Sequence, residues 1–483
     1  MPGQNLDASL RRGEALLHED LITPLHHHNE AQNRLLATVD GSTRVVTPEQ
    51  ANELVATLRP NTGIDDPAAE HTPTGPRFAR RGFFRGSLIG LGGLLAASAA
   101  PRYSFAAGTG RDLLVCVFLR GGFDGLAALG VPDDSNYNNL RGATRVTSST
   151  GFALNSTYLL NNNFAPLKSI WDDNQLAIVL GSGHPDVQRS HFEDQDLCER
   201  AAKANVRSGW IGRHIASSSS ESGTFRAITI GDRVVLSLTT TAYQSLAMSS
   251  VDSFALNGSW KEGDNAKRLV SDLGAIYGDA GGVLATQAKA TLGALDELAT
   301  VRGTTYAPAN GAAYPDSTWG SGLKDIARLA KADLGMEVAC IDYGGWDMHQ
   351  NLGTPGNADG QFSRLASDFA KGLKAFRTDL GPMWNSVTVV TMSEFGRRVQ
   401  VNGDGGTDHG HGNLMFLMGG SINGGHIYGS MPTLSADNLT AGDVPITTDY
   451  RQALSEIVSK RLGNDKLDQV FPGFTPGKAL GVA

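Results

Sequence analysis

Cysteine is scarce in this chain: Cys116, Cys198 and Cys340 are the only three in 483 residues. They form no CxxC pair and no zinc-ribbon spacing, and two lie in apolar runs, "LLVCVFL" and "MEVACID", that read as buried strands. A disulfide framework is thereby excluded, and the three thiols read as small buried hydrophobes. Aromatics are sparse at 7%. No apolar run reaches the roughly twenty residues of a stable membrane-spanning helix, so no transmembrane anchor is expected. Positive charge is not in excess either, with 41 basic against 49 acidic residues and a formal net charge of -8. That removes the broad electrostatic grip a nucleic-acid binder needs. No repeat of fixed period is present.

What is abundant is glycine, at 59, beside a hydrophobic content of 40%. A large core with many tight turns around a sheet fits an α/β enzyme. Residues 77–107 carry paired arginines (Arg80, Arg81), then Phe83, Phe84 and Arg85, a modest apolar stretch from Leu88 to Ala100, and a small-X-small end at Ser104-Phe105-Ala106. This reads as a twin-arginine secretion signal, which predicts a periplasmic or extracellular location and permits a metal to be inserted before export. Residues 1–76 form an N-terminal extension expected to be poorly ordered. It holds the triple histidine His26 to His28 and one helix candidate opening at Thr47 and Pro48, with Gln50 as the capping-box partner. Signal peptides normally start a chain, so either the extension is long or translation begins later.

From residue 108 onward the pattern predicts one domain. "DLLVCVFLRGGFDGL" reads as a strand buried on both faces with Asp124 past its carboxyl end, where open α/β sheets bind ligands; a turn or helix cap is the plain alternative. Leu176 to Leu180 reads as another strand, followed by a loop and a helix opening near Ser190, which caps that helix with Glu193 or holds an anion. The stretch 216–322 has a looser pattern and reads as an inserted cap. Strand "MEVACIDY", helix "QFSRLASDFAKGLKAFRTDLG" with Phe362, Leu365, Phe369, Leu373 and Phe376 on one face, and strands "SVTVVTMS" and "NLMFLMGG" then alternate, which implies right-handed crossovers and a mostly parallel sheet sandwiched between helices. A further helix follows Asp449.

Four clusters fall at strand ends: Asp124; Ser190 with His191; Asp347 with His349; and Glu394 followed by Asp408, His409 and His411. Carboxylates and imidazoles are the usual ligands of zinc and similar ions, and residues two apart in an extended segment point the same way. Asp347/His349 and His409/His411 are therefore expected to present ligands in pairs. His191 and His426 read as structural, His184 as an exposed loop residue, and Asp408 as a metal ligand or an Asx turn. Arg397 and Arg398 read as anion clamps or solvated charges.

The segments "VFLRGGFDGL", "RSHFEDQD", "GWIGR", "VACIDYGGWDMHQN" and "VTVVTMSEFGRRVQVNGDGGTDHGHGN" resemble the exported family known as domain of unknown function 1501, within the alkaline-phosphatase-like superfamily, over Asp112 to Phe474. The resemblance implies a parallel sheet between helices, one or two divalent metals (zinc first; Mn, Ca, Mg or Fe otherwise), and cleavage of phosphate or sulfate esters. It implies Ser190 as nucleophile and Asp124, Asp347, His349, Glu394, His409 and His411 as metal ligands, beside Arg397 as the anion-binding residue expected from its place behind "SEF". No Cys-X-Pro-X-Arg stretch occurs, which closes the formylglycine route of type I sulfatases and leaves a serine nucleophile or a metal-bound hydroxide. The alternative is a non-catalytic envelope binding or assembly protein with a structural metal. It would act beside a second exported protein of the unknown-function family 1800.

Overall fold

The computed structural model describes residues 22–24, 35–39, 42–46 and 112–483, apart from 204, 219–222, 256–262, 279–281, 303–304 and 359. The twin-arginine signal, the triple histidine and the helix expected from Thr47 lie outside the described residues. Met1–Arg77 and Phe78–Ala483 are separate units. In the first, Ile22–Pro24, Leu35–Val39 and Ser42–Val46 form a three-stranded antiparallel sheet, where poor order was expected. Its signal in the sequence is the Asp-Gly pair at 40–41 between two β-branched runs, a strong hairpin mark.

In the second unit the strands are β1 (Leu113–Leu119), β2 (Leu176–Gly183), β3 (Ala227–Ile230), β4 (Leu246–Met248), β5 (Val338–Tyr343), β6 (Val387–Met392), β7 (Asn413–Gly419), β8 (His426–Tyr428) and β9 (Thr448–Asp449). The helices that bear on the site are α1 (Gly125–Ala128), α2 (His191–Arg200), α3 (Trp210–Ser217), α4 (Gly263–Gly278), α5 (Gly282–Arg302), α6 (Thr318–Lys331), α7 (Gln361–Leu380) and α8 (Tyr450–Lys460). The strands form one nine-stranded sheet in the order β4-β3-β5-β1-β6-β7-β2-β8, with β9 also on β2. The sheet is mostly parallel, as expected, but β7 runs antiparallel to both β6 and β2. The reason lies in the connection: no helix separates β6 from β7, so the chain turns back at the edge it has just reached.

Helices cover both faces. Val115 and Val117 of β1 enter one core with Trp319 and Leu323 of α6 and Phe369, Leu373 and Phe376 of α7. Leu114, Cys116 and Phe118 enter the other, with Trp210 and Ile211 of α3 and Leu454 and Ile457 of α8. This two-sided burial is why β1 reads as a continuous apolar run. All three cysteines are free and buried. The expected cap at 216–322 needs correction: β3 and β4, both within it, belong to the central sheet, with β3 on β5 and β4 at the edge, leaving the α4–α5 pair as an elaboration among the described residues. Among the described residues no helix is long and apolar enough to cross a membrane.

Register places the site. Leu119 of β1 pairs with Tyr343 of β5, and Phe118 with Met392 of β6. The three strands end level, so the loops carrying Asp124, Asp347 and Glu394 leave one sheet edge together.

Candidate metal centre

Three imidazoles surround one carboxylate oxygen at that edge. His191 Nε2 lies 3.3 Å, His349 Nε2 3.1 Å and His409 Nε2 3.6 Å from Asp347 Oδ1, and the Nε2 atoms of His349 and His409 are 2.9 Å apart. His191, Asp347 and His409 each offer one ligand atom within 4.8 Å of the others. The opposite nitrogen of every ring is engaged. Nδ1 of His191 meets Glu394 Oε1 at 2.8 Å, that of His349 meets Asp408 Oδ1 at 3.1 Å, and that of His409 meets the Arg189 carbonyl at 2.8 Å. Each partner only accepts, so each Nδ1 carries the proton and donates it. In the neutral rings all three Nε2 lone pairs then face inward, towards each other and a carboxylate. That arrangement demands positive charge. Arg397 meets part of the demand, with Nη2 2.6 Å from Asp347 Oδ1 and Nη1 3.5 Å from His349 Nε2, and protons on the rings or a metal ion would meet the rest.

The residues fit a metal. Bonds of about 2.0–2.2 Å from imidazole and carboxylate require donors roughly 3–4 Å apart, and the three distances to Asp347 Oδ1 fall in that range. His191 Nε2 is buried and faces Asp347 Oδ1 at 3.3 Å, and anchoring the far ring nitrogen on an acceptor is how metal-bound histidines are oriented. The carboxylates favour positive charge on this ring: burial pushes the His191 pKa down, but Asp347 and Glu394 outweigh it and raise it to about 9, so a metal ion binding Nε2 would displace a proton. Hydrogen bonds from His191 and His409, with Arg397, hold Asp347 far below the usual carboxylate range. Burial opposes ionisation of Glu394, yet bonds from His191, Gln195 and Gly121 keep its pKa low.

Backbone contacts set these side chains. The "SEFGRR" and "DHGHG" stretches pair, Gly396 N donating to His411 O at 2.9 Å and Gly410 N to Gly396 O at 2.8 Å. Phe395 is buried beneath the His191 and His409 rings, centroids 4.8 and 4.6 Å away. Two glycines are required by contact. Gly121 has φ +112°, and a Cβ there would meet Asp347 N at 2.6 Å; a Cβ on Gly406 would meet the His349 carbonyl carbon at 2.2 Å. Gly406→Ala is expected to displace the His349 backbone, lower stability by about 1–3 kcal/mol and weaken metal binding. Calorimetric metal titration checks this, and an unaltered affinity counts against it.

The structure brings Asp347, His349 and His409, all three expected as ligands, together at this edge. His191, read as structural, is the residue the sequence analysis missed; its only local signal was its place on the first turn of α2, straight after the β2 loop. Four expected site residues are corrected. Asp124 is buried, its Oδ1 capping α1 through Leu126 N and Ala127 N and its Oδ2 taken by Arg141 at 2.7 Å and Thr407 at 2.9 Å. Glu394 orients His191 from outside the group. His411 is drawn to Asp443, Nδ1 to Oδ2 at 2.7 Å. Arg397 has no exposed side-chain surface; it spends its donors on the carbonyls of Gly121, Gly122 and Thr407 and on Asp347, so it braces the loops and has no edge for an outside anion. Asp408, the weakest ligand candidate, orients His349. His184 is buried rather than exposed.

Ser190 precedes α2 but does not cap it with its side chain. The capping carboxylate is Asp194, which accepts from Ser190 N at 2.9 Å and Gln188 N at 2.9 Å. Glu193, the expected partner, is not used, and among the described residues the Ser190 hydroxyl makes no hydrogen bond.

Comparison with known proteins adds a family. No curated protein matches the chain. Among solved structures, the C-terminal periplasmic domain of EcEptC from Escherichia coli, in complex with Zn, aligns at 9% identity over 67% of this chain and 77% of that one, with a TM-score of 0.29. A family model described as "Protein of unknown function (DUF1501)" matches residues 177–453, more than half of the sequence and all four residues around the candidate ion. The chain therefore belongs to the DUF1501 family.

Proposed function

We propose that this chain is an exported metal-dependent hydrolase of phosphate or sulfate esters, holding a divalent ion, zinc first among the candidates, on His191, His349, His409 and Asp347. The observation that carries the reading is the convergence of three Nε2 atoms on Asp347 Oδ1, each ring fixed from behind by an acceptor. Three imidazoles and a carboxylate suit zinc better than calcium or magnesium, which favour all-oxygen shells. Bound there, a divalent ion would polarise an ester oxygen and acidify its water. Among the described residues one group, His191, Asp347 and His409, brings its ligand atoms within 4.8 Å of one another, and His349 stands against two of its members, so the proposal is framed around one ion with His349 as its fourth ligand.

Ser190 is the proposed nucleophile. Its hydroxyl is unengaged, it adjoins a ligand in sequence, and it sits at the N-terminus of the ten-residue α2, where free backbone N–H groups and the positive end of the dipole favour a developing oxyanion. Asp194 holds this serine loop through the backbone, which leaves the side chain free to react.

The first test is metal analysis of chain folded in the cytoplasm and purified without chelators. About one equivalent is expected, and no bound Zn, Mn, Ca, Mg or Fe would overturn the proposal. Ser190→Ala is then expected to lower turnover of aryl phosphates or sulfates roughly a thousandfold with metal content unchanged. Equal turnover would remove Ser190 from the mechanism. Full metal content with no turnover of any ester favours instead an envelope binding role beside a second exported protein.

A further inference from the structure

Beside the metal centre, one fully buried carboxylate faces two arginines. Asp443 Oδ2 accepts from Arg189 Nη1 at 3.3 Å, and Arg398 Nε stands 3.6 Å from Oδ1. The same Oδ2 holds His411, while Oδ1 makes no hydrogen bond. Asp443 is the carboxylate that both guanidiniums face, and Asp408 lies near enough to feel the charge of Arg398. Both arginines keep open edges: Arg189 is 36% and Arg398 41% exposed. Beyond Asp443, the Arg189 guanidinium makes no hydrogen bond among the described residues, and that of Arg398 makes one, to the Ala441 carbonyl at 3.3 Å.

The backbone supplies an independent sign. Arg189 has φ +65°, a left-handed conformation that any residue with a Cβ adopts at a cost and that glycine adopts freely. Strain of this kind collects at functional sites. The position also ties the arginine to the centre, because the Arg189 carbonyl anchors His409 at 2.8 Å and Ser190 follows directly.

We propose that Arg189 and Arg398, both positioned by Asp443, form an oxyanion subsite that takes the non-bridging oxygens of a phosphate or sulfate group next to the metal centre. The planar guanidinium fork suits a tetrahedral oxyanion better than a lysine point charge does. The subsite deepens the hydrolase reading and rests on it for the class of group held. It also replaces Arg397, whose donors face inward, as the anion-binding residue.

The test is calorimetric titration of the metal-bound full chain with inorganic phosphate and with sulfate, acetate serving as control. Arg189→Gly and Arg398→Gln are each expected to weaken binding of the tetrahedral anion about tenfold, with metal content unchanged and acetate binding weak throughout. Arg189→Gly keeps the carbonyl that anchors His409 and relieves the left-handed backbone, so its Tm is expected to equal or exceed that of the parent chain. A purely structural arginine predicts the reverse: a lower Tm and unchanged anion affinity. The tighter of the two anions identifies the ester class. Unchanged affinity in both variants, or no anion binding by the parent chain, overturns the subsite even if esters are hydrolysed. Loss of anion binding in the variants, with no ester turned over by the parent, leaves the subsite standing and removes the hydrolase.

Discussion

His191→Ala is expected to lower zinc affinity roughly 100-fold, because apparent zinc binding energies of about 10–16 kcal/mol shared among four ligands assign about 3 kcal/mol to each. Asp347→Ala should lose at least as much and should also lower stability, since the buried Arg397 guanidinium then loses its carboxylate partner. Glu394→Gln keeps the shape but loses the charge behind His191, and a loss of about 10- to 100-fold is expected for such an orienting partner. The contrasting variant is Asp124→Asn. That side chain is tied to α1, Arg141 and Thr407, so its loss should destabilise the fold by about 3–5 kcal/mol as a broken buried ion pair and leave the affinity of the folded fraction unchanged. Competition with a chromophoric chelator, run beside thermal unfolding, reads both quantities. Chelation of the parent chain should lower its stability by about 2.7 kcal/mol relative to free metal at 100 times Kd. Unchanged affinity in His191→Ala, or metal loss as the first effect of Asp124→Asn, would place the ion elsewhere.

The contrast between His191 and Asp124 also marks where sequence reading stopped. Asp347 and His349 were legible because two residues on an extended stretch point alike whatever surrounds them. Asp124 and His411 were not, because a carboxylate or imidazole at a strand end becomes ligand, cap or brace according to a partner the local sequence does not show. For Asp124 the deciding partners are Arg141, 17 residues on, and Thr407, 283 residues away; for His411 the partner is Asp443, 32 residues away. The roles of Arg397 and Arg398 divided for the same reason, one guanidinium being enclosed by the backbone of three loops and the other left half-exposed beside Asp443.

The fold was more legible than the site, because alternating strands and helices are written locally. The sheet between helices followed from buried runs such as β1 and from the apolar face of α7. The direction of β7 did not follow, since a strand covered on both faces reads the same in either orientation. The clue was the glycine-rich connection from β6, which has no helix to carry the chain back across the sheet. That β3 and β4 join the central sheet was hidden by their length, four and three residues, too short to tell a sheet strand from a strand-like run in a cap.

Replacing Glu337 with glutamine is expected to destabilise the protein by about 3–5 kcal/mol near neutral pH without touching the metal centre. Glu337 lies just before β5 and is buried between His214 of α3, Nε2 to Oε1 at 2.8 Å, and Arg226 at the start of β3, Nε to Oε2 at 2.7 Å. Burial alone would raise its pKa, but the bonds from His214 and Arg226 outweigh it and push the value from 4.5 down to about 2. A carboxyl group whose folded pKa lies below its unfolded one stabilises fully above the unfolded value, here about 4.5, and loses that contribution as pH falls towards about 2. The shift corresponds to about 3 kcal/mol. Urea unfolding of the parent chain should therefore show stability falling between about pH 4.5 and 2, and Glu337→Gln should flatten that fall as well as lower the plateau. An identical pH slope in the two proteins would mean that another acid governs the transition. Metal affinity of the folded variant should hold, because Glu337 enters β5 at the edge opposite to the one where Asp347 leaves it, and the strand between them is buried in both cores.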